Sequence, residues 1–148
     1  MSIYIELISP YILTILFAWI GSHTIKFIVN TIKKEKYSLR SHLFMSGGMP
    51  SGHSATTVAM ATIIGLKEGF DSSIFGLATL FAIIVMYDAL QVRRSAGEQG
   101  EAIHRMIKYH KIKTINLPKI SKGHLPIEVF FGGIFGITIG LVVYLITS

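Results

Sequence analysis

Residues 11–32 read YILTILFAWIGSHTIKFIVNTI, an apolar run long enough to cross a hydrocarbon core, which needs roughly 20 helical residues. This run predicts a first membrane helix, and the rest of the chain repeats the pattern. Residues 33–48 are polar and basic; residues 54–66 are apolar again, rich in Ala, Thr, Met and Ile, and short for a full span. Across the connection at 69–73, Asp71, Ser72 and Ser73 offer N-cap oxygens to a third helix beginning at Ile74. That helix is apolar to Tyr87. No proline interrupts the pattern through Asp88, Arg93, Arg94 and His104, so the helix is expected to leave the membrane and continue as an amphipathic segment. A basic loop at 111–123 contains Pro118, and Pro126 suits the first turn of a last apolar helix over 127–146. The expected fold is all-α: a polytopic transmembrane bundle of about four helices, the third extending into the cytoplasm, forming one membrane-embedded domain over residues 1–148.

Composition and charge agree with this fold. The chain is 51% hydrophobic and only 15% charged, too apolar for an ordinary soluble domain of 148 residues. A net charge of +6 would suit nucleic acid, but the basic residues lie between apolar runs, which points to a membrane surface and to no nucleic-acid partner. Of the 14 Lys and Arg, 13 fall within 26–40 and 93–122, leaving only Lys67 elsewhere. Four alternating helices put those two segments on one side. The positive-inside rule makes that side cytoplasmic and sends both termini to the other, as expected of a multi-pass protein of the cell membrane. Glu6 before the first apolar run and the lysines after it argue against a cleaved leader. With no cysteine, neither disulfides, thiolate metal sites nor a cysteine nucleophile enter the chemistry.

On the basic side, Gly47-Gly48-Met49-Pro50-Ser51-Gly52-His53-Ser54 opens directly into the second helix. Such a turn presents backbone N–H groups at the positive end of a helix dipole, a physical recipe for holding phosphate. Ser51 adds a hydroxyl, and His53 a group that titrates near neutrality. The same residues also read as a plain Gly-rich loop with an N-cap and a surface histidine. At the start of the last helix, His124 and Glu128 are four apart, so the carboxylate can orient one imidazole nitrogen while the other points outward. The plainer alternative makes Glu128 a charge complementing the helix dipole and His124 a cap. Arg93 and Arg94 offer guanidinium forks for phosphate oxygens, and Lys26, Lys33, Lys34, Lys36 and Arg40 add charge, most of it ordinary membrane-surface charge. Arg94, Glu98, Glu101 and Arg105 share a helical stripe suited to solvated ion pairs, whereas Arg93 aligns with Gly97, Gly100 and His104. His23, Lys26 and Asp88 sit at interfacial depth, where Lys26 can snorkel and Asp88 is expected to pair with a cation.

These residues resemble the type 2 phosphatidic acid phosphatase and vanadium haloperoxidase superfamily, and more closely its divergent branch of short bacterial and plant membrane proteins. The run PSGH at 50–53 matches the superfamily's middle motif. The resemblance implies that Ser51 and Gly52 bind phosphate and that His53 is the general acid. His124-x-x-x-Glu128-Val129-x-x-Gly132-x-x-x-Gly136 looks like the end of the third motif, which implies His124 as nucleophile and Glu128 as the acid that orients it. The chain departs from the pattern in three places. Glu128 stands where Asp is usual. The Arg expected shortly before the nucleophile is absent, Pro118 holding its approximate place, so that Arg93 or Arg94 would substitute. Lys33 and Arg40 have the spacing of the first motif, but Ser41 replaces its Pro, and Lys26 matches the divergent branch equally well.

The resemblance implies a metal-independent lipid-phosphate phosphatase without cofactor, working through a phosphohistidine, and the charge rule puts its site on the cytoplasmic face. Its substrate would be a phospholipid or polyprenyl phosphate taken from the bilayer: phosphatidylglycerol phosphate first, then phosphatidic acid or polyprenyl diphosphate. The eight acidic residues form no close cluster in the sequence that would suggest a metal site. Two other readings stand beside it: a noncatalytic binder or transporter of anionic headgroups, and a structural subunit or homo-oligomer using Gly132, Gly133, Gly136 and Gly140 as a packing face.

Overall fold

The computed structural model describes residues 9–32, 48–112, 117, 120 and 123–148. Lys33, Arg40 and Pro118, all singled out by sequence, lie outside the described residues. The described chain forms helices α1 (Pro10–Ile32), α2 (Gly52–Glu68), α3 (Ser73–Tyr87), a π-helical turn (Asp88–Val92), α4 (Arg93–Tyr109) and α5 (Pro126–Thr147), with no strand among these residues. Ser72 caps α3, its hydroxyl accepting from the Phe75 N–H at 3.3 Å, and Pro126 opens α5, both as the sequence predicts.

The solvent that this fold requires can be read from α1. Its buried residues are Thr14, Ala18, Ser22, Lys26 and Asn30, one every fourth position, and four of the five are polar. Its exposed residues include Ile12, Leu16, Phe17, Trp19, Ile20 and Ile28. In water this arrangement would be inside out; in hydrocarbon it is the arrangement that keeps polar side chains away from lipid. Thr14 and Ser22 satisfy their hydroxyls on their own helix, through Pro10 O at 2.8 Å and Trp19 O at 2.9 Å. The protein is a membrane protein, and α1, the continuous helix Ser73–Tyr109 and α5 are each long and apolar enough to cross a bilayer. The 17 residues of α2 give about 25 Å at 1.5 Å per residue, short of a ~30 Å hydrocarbon core, as its brief apolar run predicts.

That short helix is the centre of the bundle, packed against α1, α3 and α5. Although Ile63 and Ile64 fill the core nearer its end, most of its buried residues are small, among them Ser54, Ala55, Ala59 and Ala61, which lets neighbours come close. The closest is α5. A Cβ at Gly132 would lie 2.6 Å from Ser51 O, at Gly136 2.5 Å from Ala55 O, and at Gly140 2.7 Å from Thr62 Cβ. The glycine stripe read from sequence as a face for other subunits is therefore already occupied by α2 at three of its four positions; only Gly133 faces open space.

The helices alternate in direction. Tyr11 bonds Glu68, and Lys67 Nζ donates to Thr147 O at 3.0 Å, so the start of α1 and the ends of α2 and α5 meet at one end of the bundle. Lys67, the one basic residue outside the two charged segments, caps the carbonyl end of α5, where a cation is favoured. The opposite end holds Lys26, Ser51 and His124.

Candidate functional site

Two loop–helix junctions build this end. In the first, Gly48 adopts a positive φ of 88°, a conformation suited to glycine, and a cis peptide joins Met49 to Pro50. The chain then enters α2 with Ser51 as N-cap: its hydroxyl accepts from the Ser54 N–H at 3.4 Å and the Ser54 hydroxyl at 3.0 Å. Ser51 and Ser54 are both fully buried, so Ser51 shapes the turn from inside. Ala55 N–H donates to Ser51 O, while the N–H groups of Gly52 and His53 have no protein acceptor among the described residues. Gly52 is where α1 crosses closely, since a Cβ there would sit 3.3 Å from Ser22 Oγ and 3.4 Å from His23 Cε1. His53 is exposed, one residue into the helix.

In the second junction, His124 lies just ahead of α5, not on it. Glu128, in the first turn, reaches back to accept from the Leu125 N–H at 3.1 Å, and the same oxygen lies 2.9 Å from His124 Nδ1. The four-residue spacing read as a shared helical face thus works through N-cap geometry: one carboxylate oxygen caps the helix and holds the imidazole. With Nδ1 engaged, Nε2 is the nitrogen left for other chemistry. His124 is buried, and burial pushes its imidazole below the ordinary histidine range; the Glu128 hydrogen bond and charge oppose this, while the nearby Lys26 and Arg93 charges add to it.

Backbone bonds lock the two junctions to each other and to the third helix. Ser51 N–H donates to Glu128 O at 2.9 Å, and His124 N–H donates to Ala89 O at 3.0 Å. The second bond depends on the π-turn. In a regular α-helix the Arg93 N–H would bond Ala89 O; here it bonds Asp88 O, and Ala89's carbonyl receives His124. Gly123 then packs directly on the next residue, a Cβ there falling 2.5 Å from Arg94 N. Nothing in the residue types of DALQV signals a π-turn, and the sequence reading passes through it as ordinary helix.

The turn also separates the two arginines. Arg93 Nε bonds Asp88 Oδ2 at 2.6 Å, the cation that Asp88 is expected to find, and lies within electrostatic reach of both His53 and His124. Arg94 points away and pairs with Glu98 at 3.1 Å on the exposed stripe. Lys26 contributes the buried cation. It is 4% exposed, its stem lies against the Cα of Gly48, and its charge reaches Glu128, His124 and His53. No carboxylate among the described residues pairs with it directly. The structure thus brings together Lys26, Ser51, Gly52, His53, Arg93, His124 and Glu128, and leaves Arg94 outside. Ser54 and the Ala89 carbonyl, both missed by sequence, are the struts; the i, i+4 step from Ser22 to Lys26 was the available signal that α1 turns a polar face inward.

A helical membrane protein with two histidine-bearing junctions around a buried lysine is the class that this fold and site define. Residues 8–139 match the Divergent PAP2 family, and the chain belongs to that family. It is also similar to a relative in Bacillus subtilis (strain 168) named "Uncharacterized membrane protein YuiD", 40% identical over 142 residues that cover 86% of this chain and 87% of that one. No solved structure matches.

Proposed function

We propose that this protein is a lipid-phosphate phosphatase that works without a metal ion, with His124 as nucleophile and His53 as general acid. The observation that carries the reading is the His124–Glu128 pair: a buried imidazole with Nδ1 fixed by a carboxylate, its other nitrogen left to attack, beside a buried lysine that pairs with no carboxylate among the described residues. The phosphate would sit between the free N–H groups of Gly52 and His53, the Lys26 ammonium and the Arg93 guanidinium, donors placed before the reaction begins. Ser51 holds the shape of that turn. Nε2 of His124 forms a bond to phosphorus as the ester P–O bond breaks, and protonated His53 gives its proton to the departing oxygen. Water, deprotonated by the now neutral His53, then attacks the phosphohistidine, releasing inorganic phosphate and restoring both histidines.

The substrate is an amphiphile, because the site lies at the end of membrane helices whose outer faces are apolar. The charge rule supports a site on the cytoplasmic side of the cell membrane, within reach of phosphatidylglycerol phosphate, phosphatidic acid or polyprenyl diphosphate. The test is phosphate release by purified protein in detergent, with EDTA present, from a panel of these lipids. Release by wild type that is lost in His124→Ala and His53→Ala supports the reading. Folded protein that binds lipid phosphate but releases none would replace it with a binder or transporter of anionic headgroups.

A further inference from the structure

Below the site, on the lipid-facing side, a groove of about 440 Å³ runs between α1, α2 and α3. Its α2 wall descends from Thr56 and Thr57 through Met60 to Ile64, and Leu77 and Ala78 of α3 face it. The size falls within the range of roughly 300–1,000 Å³ usual for small-molecule sites. We propose that this groove seats one alkyl chain of the lipid whose phosphate group occupies the histidine site, an inference that rests on the headgroup reading above.

Three observations support that occupant. The groove is apolar although two threonines line it: Thr56 Oγ1 donates to Gly52 O at 2.8 Å and Thr57 Oγ1 to His53 O at 2.9 Å, so both turn methyl groups to the cavity. It lies on the same face of α2 as His53, since His53, Thr57, Met60 and Ile64 follow one another at i, i+4, i+7 and i+11 and His53 is exposed at the top of that stripe. Its depth also fits. From Thr56 to Ile64 the helix advances about 12 Å, starting about 6 Å below Gly52, so the groove ends near the midplane of a ~30 Å hydrocarbon core. A chain hanging from a headgroup at His53 spans one leaflet along it. A helix from another protein is a poorer fit, since close helix packing favours small residues and Met60, Ile64 and Leu77 are large.

The test uses the full chain in phosphatidylcholine vesicles with phosphatidic acid carrying a photoactivatable diazirine midway along one acyl chain. The expected result is labelling of Met60, Leu77 and Ala78, suppressed by unlabelled phosphatidic acid. Ala78→Trp, which fills the groove, should cut that labelling about tenfold, whereas Leu80→Trp, on the outer face of α3, should leave it unchanged. Labelling that maps to other faces of the bundle, that persists in folded Ala78→Trp, or that continues undiminished under excess phosphatidic acid, as bulk lipid would give, overturns the groove. Because labelling needs no turnover, the two readings fail separately. Groove labelling without phosphate release sinks hydrolysis alone, and phosphate release with labels elsewhere sinks the groove alone.

Discussion

The backbone N–H of Ser51 donates to the backbone carbonyl of Glu128 at 2.9 Å, joining the first residue before α2 to the first turn of α5 across 77 positions of sequence. Because the same Glu128 holds His124 through its side chain, the turn carrying His53 and the junction carrying His124 are fixed relative to each other by one residue. The stability and chemistry of this end of the bundle therefore depend on closely shared groups, and substitutions there can be told apart by which they disturb.

Lys26 separates stability from function most cleanly. A buried ammonium is costly to the fold, and Lys26 has no direct carboxylate partner among the described residues, so Lys26→Met should melt no lower than wild type. Lipid-phosphate binding should fall roughly 10- to 100-fold, from about 1.5–3 kcal/mol for a hydrogen bond to a charged group. Thermal melting in detergent together with a binding titration checks both.

The pH profile follows from the burial of His124. Its imidazole is held below the ordinary value of about 6.5, so the neutral form, the one that attacks in the proposed reaction, persists at pH values where a free histidine would be protonated. The acidic limb of kcat/KM is expected below about pH 6.5. By linkage, the stability contributed by this group is complete above that ordinary value and is lost as pH falls through the lower folded one, since the unfolded chain takes up the proton first. Glu128→Gln removes an influence that raises the His124 value, so its acidic limb should move lower still. Its rate should drop by about 10²- to 10⁴-fold as the imidazole loses its orientation.

The two arginines should behave differently. Arg94→Ala breaks only an exposed pair with Glu98, both side chains more than half exposed, and should change stability by no more than about 0.5 kcal/mol and leave activity nearly unchanged. Arg93→Ala should raise KM for lipid phosphate strongly, and Arg93→Lys should restore it only in part, because a point charge does not reproduce the fork. Steady-state kinetics of the three variants checks this.

Gly136 tests the core. With Ala55 O 2.5 Å and Ala59 N 2.9 Å from the position of a Cβ, a side chain there meets backbone that cannot rotate away. Gly136→Leu should destabilise the fold by about 1–3 kcal/mol or more, read as a lowered melting temperature, whereas Gly133→Leu, with nothing within 4 Å, should be close to neutral.

Much of this was legible in the residues. Apolar run lengths give the helices and their alternation, and the four-residue spacing of His124 and Glu128 points to the pair, although the contact is made by N-cap geometry and not on a shared helical face. Which lysine stands beside the histidines was not legible. Spacing allows Lys26 or Lys33, and only the packing of α1 shows that position 26 is buried beside the histidines, while Lys33 and Arg40 lie outside the described residues. The π-turn at Asp88–Val92 leaves no compositional mark, since it is favoured by the bond from His124 to Ala89, made 35 residues away. The glycines of α5 were visible as a close-packing face, but residue type alone does not say whether the partner is another chain or α2.

Capture of the covalent intermediate tests the central claim most directly. Protein mixed with a lipid phosphate labelled in its terminal phosphate, quenched in alkali during turnover, should carry acid-labile label on the peptide containing His124, with none in His124→Ala. Steady release of phosphate from that lipid with no label on His124, or with label on another residue, would contradict the account.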